Sequence, residues 1–217
     1  MGSNIRPPPL SAFEEGDLLI FSVFFIMNVS KTSPTILMVP GLRDHVADHW
    51  QTFLEARLLA EGRKAASVAP LEFDKLSCAA RVAALDKAIS AIDGPVILVA
   101  HSAGVMITVH WAKRHARKIH GALLATPADL DTQLPSGYPT QDVLQKNGWL
   151  PCPRRPLPFP SIVAASRNDP LASFDRVAGM ASDWGSRLVD VGEVGHLNPA
   201  AGFGPWPLAE KLIHELV

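Results

Sequence analysis

From residue 35 onward, short apolar runs rich in β-branched residues alternate with stretches whose apolar positions recur at helical spacing. The runs fall at residues 35–39 (TILMV), 67–69, 95–100 (PVILVA), 119–125, 161–166 (SIVAAS) and 187–191. They are nearly continuous in apolarity rather than alternating, which suits strands covered on both faces of a parallel sheet. The helical stretches are residues 48–60, 75–92, 105–115 and 208–216, and in the second of these Val82, Leu85, Ile89 and Ile92 mark one face. Strand and helix in alternation predict an α/β fold with a mostly parallel sheet flanked by helices. Residues 127–160, rich in proline and carrying Tyr138 and Trp149, lack either period. They read as an excursion over the sheet edge with room to shape a pocket.

Residues 1–34 read differently, with a Pro-Pro-Pro turn and an isolated apolar run at residues 18–27. They are expected to be an extension, either non-native or an extra strand, ahead of a single domain over residues 35–217. Ten apolar residues fall short of the roughly 20 that span a bilayer. Glu14, Glu15 and Asp17 just ahead of them do not suit a signal peptide.

The chain has 217 residues, 20 basic and 21 acidic, for a net charge of −1. Charges this balanced and interspersed argue against nucleic acid and anionic membrane as partners. With 47% hydrophobic and 19% charged residues, the chain is far from disordered compositions. Its length allows about 70% of the unfolded surface to be buried in one core. The two cysteines, Cys78 and Cys152, form no CxxC motif, so neither a disulfide framework nor a zinc knuckle is expected, and a reducing, cytoplasmic setting is. His45 and His49 stand at i and i+4 but lack the glutamate of HExxH and a third ligand, so no metal is expected. No glycine-rich phosphate loop occurs, and no cofactor is expected.

Candidate chemistry concentrates at strand ends. PVILVA-His101-Ser102-Ala103-Gly104 passes from a buried strand through a small-x-Ser-x-Gly turn into a helix. That context suits a strained turn that lifts a nucleophilic serine above the sheet edge. The amide of Ala103 would then open the helix and donate to an anion. Ala100 stands where such motifs often carry glycine, and serine is also a common helix N-cap.

A serine hydroxyl needs a base, and the chain order of this type of site puts the base after an acid. Of eight histidines, His196 alone lies in a late glycine-bearing loop, between the last strand and the last helix. Asp169 follows the strand at residues 161–166 and is the expected acid, with Asp190 and Glu193 as competitors. The first strand ends in Pro40-Gly41-Leu42, and the amide of Leu42 is the expected second donor of an oxyanion hole.

These residues resemble a family. Val39-Pro40-Gly41, Asp48-His49-Trp50, the serine motif, Asn168-Asp169, Gly195-His196-Leu197-Asn198 and Gly202-Phe203-Gly204-Pro205-Trp206-Pro207 are similar to the small α/β-hydrolases of the retinoblastoma-binding-protein and YdeN type. The resemblance covers about residues 35–217 and implies an α/β-hydrolase fold with no large cap domain. It implies a serine hydrolase with Ser102, Asp169 and His196 as triad. One member of the family binds retinoblastoma protein through a Leu-x-Cys-x-Glu segment; the counterpart here, Leu76 to Ala80, lacks the glutamate.

The expected function is carboxylester hydrolysis of a small-molecule acyl substrate through an acyl-enzyme. The alternatives are a peptidase or amidase with the same triad, or an interaction protein that retains the fold. Without a multi-helix cap, little apolar surface can wrap a long chain, so acyl groups of roughly two to six carbons are expected. Trp206 and Leu42 are the expected rim of the substrate pocket.

Overall fold

The computed structural model describes residues 33–44 and 46–217, so the expectations for residues 1–32 and for His45 lie outside the described residues. Six strands form one parallel sheet: β1 (Thr35–Val39), β2 (Ala65–Ser67), β3 (Val96–His101), β4 (Gly121–Ala125), β5 (Ser161–Ala165) and β6 (Arg187–Asp190). Their spatial order is β2-β1-β3-β4-β5-β6. The helices are α1 (Trp50–Ala60), α2 (Cys78–Ser90), α3 (Ala103–Arg114), α4 (Gln141–Lys146), α5 (Phe174–Trp184) and α6 (Leu208–His214). No helix among the described residues is long and apolar enough to cross a membrane.

The strands behave as their apolar runs require. Along β1, Leu37 and Val39 join one core while Ile36 and Met38 join the other, and β3 divides Val96, Leu98 and Ala100 from Ile97 and Val99 in the same way. Side chains that alternate across a sheet can all be apolar only if both faces are covered. Helices α2, α3 and α5 cover one face together with Leu130, Leu144 and Trp149 of the excursion. Helices α1 and α6 cover the other, through Trp50, Leu54 and Leu58, and through Leu212 and Ile213.

Three local expectations change. Strand β2 sits two residues earlier than expected because Ile36 pairs with Ala65 and Met38 with Ser67, so half-buried alanines rather than Val68 form this edge. Helix α5 was not anticipated, although Val177, Met180, Ala181 and Trp184 form its buried stripe. Its start is masked in sequence by the Asn168-Asp169-Pro170 turn chemistry just ahead of it. Within residues 127–160, α4 adds a short helix with only Leu144 buried, too few apolar positions to show a period.

The order of strands places the site. The chain moves outward from β1 to β2 and then crosses to β3 on the other side of β1, so the carboxyl ends of β1 and β3 flank a switch point where ligands meet such sheets. Close approach of α3 to β1 at that point depends on Gly104: a Cβ there would stand 2.1 Å from the Val39 carbonyl oxygen and 2.9 Å from that of Pro40. Gly179, exposed within α5, has nothing within 4 Å of its Cβ position. Gly104→Ala should therefore lower stability by at least about 2 kcal/mol, whereas Gly179→Ala should raise it by about 0.5–1 kcal/mol. Urea midpoints of the two variants measure both effects, and a neutral Gly104→Ala would contradict the close approach.

Candidate active site

Ser102 is the single residue between β3 and α3, with φ 58° and ψ −126°. A non-glycine residue in this region costs on the order of 1–3 kcal/mol and persists only where its surroundings enforce it. The enforcement is visible: the Ser102 amide donates to the Ala125 carbonyl at 3.1 Å, and its own carbonyl accepts from the Val105 amide at 3.0 Å. Ala100, fully buried, satisfies the need for a small residue where glycine was the alternative. The hydroxyl makes no capping bond to α3, so the helix-cap use of serine does not apply here.

The Ser102 Oγ instead lies 2.8 Å from His196 Nε2. His196 Nδ1 faces both carboxylate oxygens of Asp169, at 3.0 and 2.9 Å. Asp169 Oδ1 also accepts the Leu171 amide at 2.8 Å, which fixes the carboxylate on its own turn. Both side chains are buried, at 6% and 1% exposure, so the pair is shielded from solvent. The competing carboxylates lie elsewhere. Asp190 pairs with Arg167 and accepts the Gly192 amide at 2.9 Å, and Glu193 is exposed.

Sequence reasoning missed the residues that hold this arrangement. His101 Nε2 donates to the backbone carbonyl of His196 at 2.9 Å, and its ring packs 4.9 Å from the His196 ring and 4.6 Å from that of His49. Asn168 Oδ1 accepts the Ser166 hydroxyl at 3.0 Å and the Gly195 amide at 2.6 Å, tying the Asp169 loop to the His196 loop. Gln51, buried at the start of α1, donates to the Val99 carbonyl at 2.8 Å, so α1 is pinned to β3. Arg81 on α2 donates to the Leu42 carbonyl at 3.2 Å, to the Lys75 carbonyl at 2.8 Å, and pairs with Asp44. The available signal for His101 was its place directly before Ser102, and for Arg81 a lone cation on the apolar stripe of α2.

A cavity of about 390 Å³ opens on Ser102 and His196, with Leu42 and Ala103 in its lining. Gly41 stands close above the serine, since a Cβ there would come 3.3 Å from Ser102 Cβ. Trp206 does not reach the cavity. It is half-buried and packs edge-on against Trp50 with ring centroids 4.9 Å apart, against the core beside α1 rather than at the expected rim. Among the described residues no three His, Cys, Asp or Glu side chains are grouped to hold a metal ion. The thiols are poor alternative nucleophiles, because burial pushes Cys78 up to about 11 and Cys152 up to about 12.

Fold and site together define an α/β-hydrolase. Residues 36–215 match the family described as serine hydrolase, and the chain belongs to that family. Among solved structures, a protein from Pectobacterium atrosepticum described as a YdeN-like hydrolase is 31% identical with a TM-score of 0.70, over 94% of this chain and all 100% of that one. The ydeN gene product of Bacillus subtilis is 19% identical with a TM-score of 0.69, over 85% of this chain and 98% of its own. Mouse alpha/beta hydrolase domain-containing protein 10 shares the fold at 15% identity and a TM-score of 0.64, over 86% of this chain and 92% of its own. No curated protein sequence matches the chain closely enough to be set beside it.

Burial holds His101 well below the ordinary histidine value of 6.5, and the neighbouring His196 and His49 add to the effect. Burial lowers His110 in the same direction. The unfolded chain therefore binds more protons as the pH falls below about 6.5, and folded stability must fall with it, by up to about 1.4 kcal/mol per pH unit for each such histidine. Urea unfolding between pH 5 and 7.5 should show this decline, with His101→Gln reducing its slope. An unchanged slope in that variant would exclude His101 as a source.

Proposed function

We propose that the protein hydrolyses carboxylic esters by a covalent route in which Ser102 is the nucleophile, His196 the base and Asp169 the acid that orients it. The observation that carries this reading is the unbroken chain of contacts from Ser102 Oγ to His196 Nε2 at 2.8 Å and from His196 Nδ1 to Asp169 at 2.9 Å, with the His196–Asp169 pair buried. In such a chain the imidazole removes the hydroxyl proton as Oγ attacks the ester carbonyl, and the carboxylate holds the correct tautomer and stabilises the imidazolium. His196 returns the proton to the departing alcohol, leaving Ser102 acylated. A water then repeats the sequence with His196 as base and frees the acid.

The amides of Ala103 and Leu42 are the proposed donors to the oxyanion. Ala103 opens α3, where unpaired amides and the helix dipole favour negative charge. Leu42 follows Gly41 directly above the serine, and Arg81 fixes the loop by binding its carbonyl. Each donor of this kind is worth on the order of 10²- to 10³-fold in rate. With no sequence signal for the leaving group, the ester reading rests on the lower demand that an alcohol makes on the site compared with an amine.

Ser102→Ala should lower kcat for p-nitrophenyl butyrate by roughly 10⁴-fold or more, because nucleophile and base act as a unit. Asp169→Asn should lose on the order of 10⁴-fold with the fold intact. A fluorophosphonate should label the native chain once and the Ser102→Ala variant not at all. Retention of more than a tenth of the activity by Ser102→Ala would sink the proposal, as would a labelled variant.

A further inference from the structure

We propose that residues 127–160 build the acyl pocket of this enzyme, and that its substrates are esters whose acyl group is an apolar chain of about six to ten carbons. The inference rests on the reading of Ser102 as the nucleophile and goes beyond it to the substrate.

An apolar wall of the cavity is made by the excursion. Leu130, Leu134, Leu144 and Trp149 all line it, and their exposures are 2%, 6%, 1% and 0%. The one indole among them has no donor to spare, since Trp149 Nε1 donates to the Leu76 carbonyl at 2.7 Å. A wall of three leucines and an indole whose donor is taken rewards methylenes, and the half-buried Tyr138 is the polar side chain that the same segment adds to the lining. The wall is also anchored. Gln141 Nε2 donates to the Leu130 carbonyl at 2.9 Å, Arg176 holds the buried Asp129 through two bonds of 2.6 and 3.0 Å, and the Cys78 amide donates to the Asn147 carbonyl at 3.0 Å. An anchored wall keeps the space open in the free protein.

The acyl side is assigned by the proton. The leaving alcohol must take its proton from His196 Nε2, so it departs along the histidine's side of the cavity, where Pro199 and Ala200 are exposed. The acyl group, which stays bonded to Ser102 after the alcohol has gone, is left with the buried apolar side. A cavity of about 390 Å³ lies in the range that encloses most of a small ligand. An acetyl group leaves most of it empty, and a palmitoyl chain exceeds it. The upper limit of six carbons expected from the lack of a cap therefore moves up, because a shorter anchored segment does the enclosing.

The test is kcat/KM for p-nitrophenyl esters from acetate to palmitate beside a series of alkyl acetates, using the full chain. The acyl series should peak between hexanoate and decanoate, with octanoate at least about thirtyfold above acetate, since each buried methylene gains about fourfold. The alkyl acetates should change little with chain length. Leu134→Trp and Leu144→Phe should each lower the octanoate-to-acetate ratio by tenfold or more, and partial unfolding cannot imitate this because it scales both esters equally. A peak at acetate or butyrate, a peak beyond decanoate, a response confined to the alkyl series, or unchanged ratios in both variants would overturn the proposal. Activity that disappears in Ser102→Ala while the peak sits at acetate would remove this inference and leave the serine mechanism standing. Activity that survives Ser102→Ala would remove both.

Discussion

The contact between the first turn of α3 and the end of β1 is the constraint on which the site depends. At Gly104 the helix backbone meets the carbonyls of Val39 and Pro40 so closely that no side chain fits between them. That approach forces the turn from β3 into α3 to be completed by a single residue, and Ser102 takes up the unfavourable φ. It also brings Gly41 and Leu42, which leave β1, directly over the serine. The geometry of Ser102 and the placement of the loop above it thus arise from one backbone contact, and the strain at Ser102 is held by the surrounding bonds rather than relieved.

The histidine is positioned through its backbone as well as its ring. Gly195 and Leu197, on either side of His196, both have positive φ, at 55° and 48°. A loop shaped in this way has no ladder to hold it, so its groups need partners from outside. They come from two other strand ends: Asn168 after β5 binds the Gly195 amide, and His101 at the end of β3 binds the His196 carbonyl. The bond from His101 requires a proton on Nε2, and because burial disfavours the charged ring, the neutral Nε2–H tautomer supplies it. His101, directly before Ser102, therefore holds the His196 backbone, and the three strand ends are locked into one unit.

What could be read from the sequence follows from how local each signal is. Buried parallel strands announce themselves as apolar runs, and β1 and β5 begin where TILMV and SIVAA begin. The serine turn, the glycine-histidine loop and the Asn-Asp-Pro turn are likewise local, which is why three residues far apart in the chain could be matched to strand ends. Trp206 shows the limit. An aromatic residue in a Gly-Pro-Trp-Pro stretch looks like a pocket rim, yet its partner is Trp50, more than a hundred residues earlier, and no local pattern encodes that pairing. The same holds for residues 127–160, whose buried leucines come from a largely irregular backbone and so meet the core and the cavity without a helix or strand period.

The entry to α2 shows how the loop over Ser102 and the cavity wall become mechanically coupled. Arg81, 5% exposed, would be costly as an isolated charge, and it is compensated by Asp44 and by the Leu42 and Lys75 carbonyls. Two residues from Lys75's neighbour Leu76, whose carbonyl holds the Trp149 indole, the Cys78 amide holds the Asn147 carbonyl. Ser77 between them caps the helix through the Ala80 amide. A segment of seven residues, 75–81, thus grips the loop over the serine with its last residue and the apolar wall with its middle ones. Within the Leu76 to Ala80 stretch Cys78 is fully buried, whereas Ala79 is exposed. A shift of α2 would therefore bear on both the loop over Ser102 and the cavity wall, although the wall is also held by His110 Nε2 on the Trp149 carbonyl at 3.0 Å and by Arg176 on the buried Asp129.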